Sequence, residues 1–297
     1  MKHLKRLLFV LLFTQLIFAN SVITNPFLWE VRKDNQHFYL FGTMHLADPA
    51  LQTLPLGLKK AIDVSDAVFT EISMDMQSQL AGIPLMMRND GKSLKDILPT
   101  KLYGKVEQYL KNINPMLNIA PFDGMKVWAL SAIVSMLPSQ LKYPMMQPID
   151  AIIYNYAETS QKEVGGVESI TEQLGLMDRF SLNEQILGLE SSLDFLATHT
   201  DVMGKLKDLY IAGDSVRLMV YIKSMMFQIK KYKAIEEKFM QTLLYNRNKN
   251  MTHRLLTLVN KNPKKKFLFA FGVMHFLEDK SIVSLLKSKG YEVKRVN

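Results

Sequence analysis

The sequence predicts an α/β protein in which two terminal strand–helix–strand (βαβ-type) halves share a central mixed sheet and a large helical middle region covers the candidate site. Three observations support this prediction. The chain has 297 residues, of which 48% are hydrophobic, which is enough to bury a sizeable core. Strand–helix–strand patterns occur near both ends, while residues of about 94–250 show mostly helical spacing of apolar side chains. The short connections favour a single domain over residues 21–297, with 94–250 as a helical insert.

Composition excludes several classes of protein. A chain with this hydrophobic fraction is neither disordered nor collagen-like. Because it has no cysteine, disulfide bonds, cysteine-ligated zinc, iron–sulfur clusters and thiol nucleophiles are excluded. The formal net charge is +9, and the strongest basic run after the N-terminus, residues 264–266, sits in a proline-containing connection that we interpret as a solvated loop. We therefore expect no nucleic-acid partner.

Residues 1–20 are predicted to form a secretory signal peptide. Lys2, Lys5 and Arg6 precede a short apolar run, and the small residue Ala19 follows it. The run is shorter than the ~20 residues that a membrane-spanning helix needs. We expect export to a secreted or periplasmic location, with an uncleaved N-terminal membrane anchor as the alternative. No comparable run follows in the sequence, so no stable membrane span is expected once the signal is removed.

The N-terminal half begins with two predicted strands, residues 27–31 and 37–41, which a polar turn joins into a hairpin. Gly42 ends the second strand. Residues 48–63 show helical spacing of apolar side chains, and residues 67–72 form a further strand. Because a helix connects the second and third strands, these two strands are expected to be parallel.

Helices are predicted through most of the middle of the chain. Their predicted ranges are 94–98, 99–110, 125–136, 150–159, 182–198, 202–213, 214–232 and 236–259. One short strand, residues 163–168, interrupts them. The C-terminal half is again strand, helix, strand, over residues 266–271, 277–289 and 291–296, where Gly290 closes the helix.

The two ends of the chain carry the same motif. Residues 38–48 and 268–278 both consist of an apolar strand, then Phe-Gly-x-Met-His, an apolar residue, one spacer and an acid. The chain has six histidines, and two of them, His45 and His275, share this context. Chance alone does not account for a repeat of the whole string, which indicates that the two segments have matched roles.

Both of these histidines are predicted to lie at one edge of the sheet. Each Gly-x-x-His follows the carboxyl end of a strand, and the ends of parallel strands meet at a single edge, where ligands bind. Glu71 ends the strand 67–72 and belongs to the same edge. His45, Glu71 and His275 therefore form a candidate three-ligand site for a divalent metal ion, with a position left for water. The alternative is that each histidine caps the following helix or bonds a backbone group.

On these motifs the chain resembles the TraB/GumN family, which includes the Tiki metalloproteases. The family pattern has two Gly-x-x-His motifs near opposite ends, an acidic residue after the second strand and an Arg-Asn pair on a late helix. The matching positions are residues 42–45 and 272–275, Glu71, Arg247 and Asn248. Further matches are Asp150, Glu168 with Gln173, and Gly213-Asp214 after Tyr210. The resemblance covers about residues 27–296 and is closer to the exported bacterial members.

The resemblance implies a metal-dependent hydrolase, with protease activity in the Tiki branch. A divalent ion (Zn, Mn or Co) held by the three candidate ligands would lower the pKa of a bound water and polarise a carbonyl. Glu168 is the candidate general base, because Glu71 is already a candidate metal ligand. Glu168 also follows a predicted strand, so it could instead support the metal ligands or face the substrate. Arg247 is the candidate for stabilising an oxyanion or gripping a substrate carboxylate, and Asn248 accompanies it in the family's Arg-Asn pair.

The leading prediction is an exported, divalent-metal-dependent hydrolase that acts as a peptidase on a peptide or protein substrate. The alternative is a non-catalytic binding protein that sequesters a peptide or a metal complex between the two histidines and the methionine-rich helices. A binding protein needs neither an available coordination position nor a general base. Metal-dependent turnover is therefore the observation that separates the two classes.

Overall fold

A six-stranded mixed sheet forms the centre of the protein. The computed structural model describes residues 23–199, 201–226 and 229–296, and the predicted signal peptide, residues 1–20, lies outside the described residues. In chain order the strands are β1 (Leu28–Lys33), β2 (Gln36–Thr43), β3 (Ala67–Ile72), β4 (Glu163–Glu168), β5 (Phe267–Gly272) and β6 (Glu292–Val296).

The strand order in the sheet is β4-β3-β5-β2-β1-β6. The first four strands in this order run parallel to their neighbours, whereas β1 is antiparallel to both β2 and β6. This arrangement confirms the predicted β1–β2 hairpin and the mixed sheet that both ends of the chain share. The two halves are interleaved: β5 of the C-terminal half lies between β2 and β3 of the N-terminal half, and β6 extends the sheet beyond β1.

The central strand β5 is buried on both faces. Its residues from Phe267 to Phe271 are at most 1% exposed. Phe269 packs edge-on against Phe38 of β2, with ring centroids 5.9 Å apart. A continuous apolar run is typical of a parallel strand that is covered on both faces, and it suits β5 to the middle of the sheet.

A large helical region lies between β3 and β5, as predicted, and β4 interrupts it. Within the described residues the helices are α1 (Leu56–Asp63), α2 (Met76–Met86), α3 (Leu94–Ile97), α4 (Thr100–Ile113), α5 (Val127–Lys142), α6 (Ile149–Thr159), α7 (Ile170–Gly175), α8 (Leu182–Thr198), α9 (Val202–Ile211), α10 (Ser215–Met225), α11 (Lys233–Phe239), α12 (Asn246–Lys261) and α13 (Ile282–Ser288). Tyr210, Leu218 and Met251 of α9, α10 and α12 pack into the sheet core. Helices α3, α4, α5 and α8 enclose a separate apolar cluster around Val106 and Leu189. None of the helices in the described part of the chain is long and apolar enough to cross a lipid bilayer.

Several helices differ from the sequence-based prediction. The predicted helix 125–136 continues through Pro138 in α5. Proline has no N–H for the carbonyl oxygen of Val134, and the hydroxyl of Tyr109 donates to that oxygen at 3.3 Å instead. The predicted helix 236–259 contains a π-helical turn, Met240–Tyr245, between α11 and α12. The predicted helix 214–232 ends at Met225 in α10, and helix α2 was not predicted at all.

The segments after the two Gly-x-x-His motifs are also more irregular than predicted. The predicted helix 277–289 begins only at α13, after the cap residue Ser281, and His275 itself lies in a 3₁₀ turn, Val273–Phe276. In the same way, the predicted helix 48–63 is divided into a 3₁₀ turn, Pro49–Leu51, and α1. These turns leave each histidine in a short connection at the edge of the sheet.

Candidate functional site

The candidate residues lie at one edge of the sheet, at the ends of four neighbouring parallel strands. The residues at or just beyond the ends of β2, β5, β3 and β4 are, in that order, His45, His275, Glu71 and Glu168. Because β2 and β5 pair in parallel, the two copies of the repeated motif lie side by side. The sheet order thus places a histidine segment on each of two adjacent strands and an acidic residue on each of the next two.

The Glu71 carboxylate faces both histidines. Its Oε1 atom lies 3.7 Å from Nε2 of His45 and 3.5 Å from Nε2 of His275. The same oxygen accepts a hydrogen bond from the backbone N–H of Gly272 at 2.7 Å, and Oε2 accepts one from Gln173 of α7 at 2.8 Å. Burial alone would raise the pKa of Glu71, but its contacts with the two histidines and the charge of a buried arginine outweigh burial and hold that pKa well below its usual value.

His275 is buried, with 4% of its surface exposed, and its surroundings favour the neutral imidazole. Asn248 of α12 donates its side-chain N–H to the backbone carbonyl of Lys280 at 2.9 Å, which turns Oδ1 of Asn248 towards Nδ1 of His275 at 2.6 Å. Because this amide oxygen can only accept, Nδ1 carries the proton. Burial lowers the pKa of His275 to about 4. At neutral pH, Nε2 therefore presents a lone pair on the side of Glu71.

His45 is the more exposed of the two, with half of its side chain accessible. Its Nδ1 atom lies 2.8 Å from Oδ2 of Asp150, a buried residue in the first turn of α6. The charge of Asp150 raises the pKa of His45 well above its ordinary value, although burial opposes this shift. A carboxylate at Nδ1 leaves Nε2 to face Glu71, and this is how metal-binding histidines are commonly oriented.

Arg247 of α12 joins the two buried carboxylates of the site. Its Nη2 donates to Oε2 of Glu71 and to Oε2 of Glu168, at 2.6 Å each, and its Nε donates to Oε2 of Glu168 at 3.0 Å. Nη1 donates to the carbonyl oxygen of Leu243 at 3.2 Å. Burial would lower the pKa of Arg247, but the two carboxylates raise it. The guanidinium is therefore engaged by the protein's own carboxylates.

Gly272 leaves a space among the three candidate ligands. A Cβ atom at this position would lie 3.1 Å from Oε1 of Glu71, 3.6 Å from Nε2 of His45 and 3.7 Å from Cδ2 of His275. The space that a methyl group would fill is thus bounded by a carboxylate oxygen and two imidazoles. These are donor types that Zn²⁺, Mn²⁺ and Co²⁺ accept, so the donor chemistry fits a divalent ion.

As placed, however, the donors do not form a closed ligand cluster. Within residues 23–199, 201–226 and 229–296, no group of three or more His, Cys, Asp and Glu side chains is arranged to hold a metal ion. The 3.5 and 3.7 Å separations from Oε1 of Glu71 are nevertheless close to the roughly 3–4 Å between atoms that ligate one ion at about 2.0–2.2 Å. The half-exposed His45 has the most room for the movement that would close the set.

The variant Gly272→Ala is expected to disrupt the site while the fold persists. The φ of Gly272 is −48°, which alanine adopts without strain, so the added methyl group acts through its contacts with the three candidate ligands. We expect a loss of roughly tenfold or more in affinity for Mn²⁺ or Zn²⁺, measured by titration calorimetry. The control is Gly104→Ala in α4, where a Cβ meets nothing within 4 Å. Equal metal affinity in both variants, with unchanged melting curves, would contradict the assignment.

A cavity of about 570 Å³ lies at this edge of the sheet, within the size range of small-ligand sites. Its polar lining includes His45, Glu71, Gln173, Arg247 and His275. Most of the remaining lining is apolar and comes from α9, α10 and the π-helical turn. Candidate ligands and an apolar wall therefore share one cavity.

The structure places the predicted site residues in two groups. His45, Glu71, His275 and Arg247 line the cavity, while Asn248 contacts His275 and Glu168 contacts Arg247. The general-base role of Glu168 stays a prediction.

Asp150 and Gln173 were linked to the site only through the family resemblance, and they contact His45 and Glu71. An acid in the first turn of a helix, such as Asp150, is ordinary because it stabilises the helix N-terminus. Nothing in its local sequence could therefore have shown its contact with His45.

The sequence pattern of the TraB/PrgY/gumN family matches residues 27–295. The chain is 26% identical over 311 residues to "Metalloprotease TIKI2" of Xenopus tropicalis. It is 25% identical over 317 residues to "Metalloprotease TIKI homolog" of Nematostella vectensis and 25% identical over 311 residues to "Metalloprotease TIKI1" of Homo sapiens. These alignments cover 91%, 92% and 91% of this chain, but 59%, 67% and 61% of the three relatives. The chain thus spans about three fifths of the length of the curated relatives it matches, and no solved structure gives a significant match.

Proposed function

The chain belongs to the TraB/PrgY/gumN family, and from this membership and the geometry of the site we propose that it is an exported, divalent-metal-dependent hydrolase that cleaves peptides or proteins. The observation that carries the proposal is the convergence of His45, Glu71 and His275 at one sheet edge, where all three line the same cavity. The names of the metalloprotease relatives support the reaction class. The basic residues and short apolar run of residues 1–20 support export to a secreted or periplasmic location.

His45, Glu71 and His275 would hold the ion through two imidazole nitrogens and a carboxylate oxygen. When bound, Zn²⁺, Mn²⁺ or Co²⁺ would supply a water that ionises near neutral pH and would polarise a carbonyl group. Three protein ligands leave room at the ion for water and substrate. Ligation requires both imidazoles in the neutral form, which the surroundings of His275 already favour. Asp150 raises the pKa of His45, so His45 would release a proton when the ion binds.

Asn248 and Asp150 are assigned to positioning the two imidazoles. Asn248 keeps the proton of His275 on Nδ1, and Asp150 faces the same ring atom of His45. Partners of this kind fix the tautomer and the ring orientation, and their loss commonly lowers metal affinity by roughly 10–100-fold. In this proposal Asn248 acts through His275 and has no contact with substrate.

Arg247 keeps Glu71 ionised and oriented through the 2.6 Å bond from Nη2. Glu168 accepts from Nε and Nη2 of Arg247 and so fixes the plane of the guanidinium. These bonds matter because removing one member of a buried ion pair leaves an uncompensated charge, at a cost of roughly 3–5 kcal/mol. We assign Glu168 to holding Arg247, and the general-base role predicted from the sequence is the alternative.

Metal-dependent cleavage of peptides tests this proposal. The exported protein is purified, its N-terminus is sequenced, and after treatment with chelator it is reloaded separately with Zn²⁺, Mn²⁺ or Co²⁺. We expect mass spectrometry of a peptide library to show cleavage with at least one metal and none in chelator.

Three outcomes of this experiment would contradict parts of the proposal. Cleavage that persists in chelator would contradict a metal-dependent reaction. Peptide binding without cleavage under all three metals would favour the non-catalytic binding protein. A mature chain that begins at Met1 would contradict removal of the signal and support the N-terminal anchor.

A further inference from the structure

We infer that the apolar part of the site cavity is a subsite for one large aliphatic or aromatic side chain of the substrate, next to the bond that is cleaved. This inference rests on the proposed function and specifies the substrate class of the same site. The wall of the subsite includes Leu206, Leu218, Ile222, Met240, Leu243 and Met274.

The wall presents apolar side chains that the protein itself leaves partly uncovered. Leu206 of α9, Ile222 of α10 and Leu243 of the π-helical turn are half-buried, although all three line the cavity. Their remaining apolar surface contacts water, and an apolar side chain entering the cavity would remove that contact. The wall therefore favours an apolar occupant.

The π-helical turn connects this wall to the candidate metal ligands. Met240, Leu243 and Leu244 of the turn line the cavity, and the carbonyl oxygen of Leu243 accepts from Nη1 of Arg247 at 3.2 Å. Arg247 in turn donates to Glu71. Turns of this type within α-helices are frequent at functional sites. Hydrogen bonds through Arg247 thus connect the π-helical part of the wall with Glu71.

Two ion pairs tie the wall helices to the two histidine segments. Lys207 of α9 lies 3.1 Å from Asp48, and Lys223 of α10 contacts Glu278. Asp48 and Glu278 are the equivalent acids of the repeated motif, each three positions after its histidine. An ion pair of this kind therefore occurs on both copies of the motif, and it connects each of the two wall helices with one histidine segment.

The charges of the cavity do not favour an acidic side chain. Among the lining residues, all of which the structure describes, Arg247 is the one Lys or Arg side chain. Its N–H groups already bond Glu71, Glu168 and the carbonyl of Leu243. An acidic or phosphorylated side chain would find no unpaired Lys or Arg in this lining, and its burial would be unfavourable. An aliphatic or aromatic side chain meets no such penalty.

Peptides that differ at a single position test the subsite. The probes share one sequence and carry leucine, phenylalanine, alanine or aspartate at each position in turn, and kcat/KM is measured on the metal-loaded protein. At one position beside the cleaved bond, leucine or phenylalanine should be preferred over alanine by roughly 10–100-fold, with aspartate poorest.

Two substitutions of Ile222 are expected to change this preference in opposite directions. Ile222→Trp fills the cavity and should shift the preference towards alanine, whereas Ile222→Ala enlarges it and should shift the preference towards phenylalanine, by roughly tenfold each. The matched controls are Val220→Trp and Val220→Ala, because Val220 lies on the same helix and is 63% exposed. Partial unfolding would slow the cleavage of all peptides alike, so opposite shifts identify a direct contact.

These experiments distinguish an error in the subsite from an error in the proposed function. Equal cleavage of the alanine and phenylalanine peptides, or preferences that Ile222→Trp leaves unchanged, would overturn the subsite alone. If no metal supports cleavage, the proposed function fails, and calorimetric titration of the same peptides decides the subsite. The subsite is supported if the phenylalanine peptide binds more tightly than the alanine peptide and if this difference is lost in Ile222→Trp. Equal binding of all peptides overturns the subsite.

Discussion

The variants His275→Ala and His45→Ala are each expected to lose divalent-metal binding and, with it, peptide cleavage. Each change leaves two candidate protein ligands, which are too few to retain the ion against water. Both variants should also be less stable than the wild type. The buried His275 bonds Asn248, so its removal leaves a buried acceptor unpaired, at a cost of roughly 1–3 kcal/mol in the free energy of unfolding. His45 is half exposed, but it is the partner of the buried Asp150, so its removal leaves that buried charge unpaired and also lowers the free energy of unfolding.

Mass spectrometry after dialysis measures the metal content of each variant, and urea unfolding measures its stability. The matched control is His253→Ala, which removes an exposed histidine of α12 and should change neither metal content nor cleavage. A His45→Ala protein that retains full metal content and full activity would show that the ligand set is wrong and that the repeated motif is structural.

Arg247→Lys is expected to lower metal affinity by roughly 10–100-fold and to lower cleavage at least as much. Arg247 reaches Glu71 and Glu168 at the same time through two nitrogens of one rigid plane. A lysine ammonium is a point charge and cannot reproduce that fork. Glu71 would then lose the contact that holds Oε2, and with it the orientation of Oε1 towards the histidines. Calorimetric metal titration and kcat/KM at saturating metal measure the two effects separately.

The matched control for this variant lies on the same helix. Arg254 pairs with Glu172 and donates to the carbonyl oxygen of Val167, and it bonds neither Glu71 nor Glu168, so Arg254→Lys should leave metal affinity unchanged. In the same experiment Glu168→Gln separates the two roles of Glu168: metal affinity and cleavage fall together if it positions Arg247, whereas cleavage alone is lost if it is the general base. Unchanged metal affinity in Arg247→Lys would contradict the positioning role of the arginine.

How far the fold could be predicted depends on how local each feature is. The strands β3 and β5 match their predicted ranges closely, because short apolar runs bounded by polar or glycine residues are local properties. The continuation of α5 through Pro138 could not be predicted, since it depends on a hydroxyl from another helix, that of Tyr109. The π-helical turn Met240–Tyr245 likewise has no pattern in the sequence that distinguishes it from an α-helix.

By itself, the sequence determined that two histidines follow equivalent strand ends, that Glu71 ends a third strand, and that the ends of the chain share a mixed sheet. The repeated motif and the strand periodicity are patterns of consecutive residues, so they can be recognised without knowledge of the fold. Only the tertiary structure decided that β5 lies between β2 and β3. It also decided which side chains of the site contact each other. The contact of Arg247 with Glu71 joins residues 176 positions apart. A buried polar group must be satisfied by whatever neighbour the packing brings to it, and that neighbour is not encoded near it in the chain.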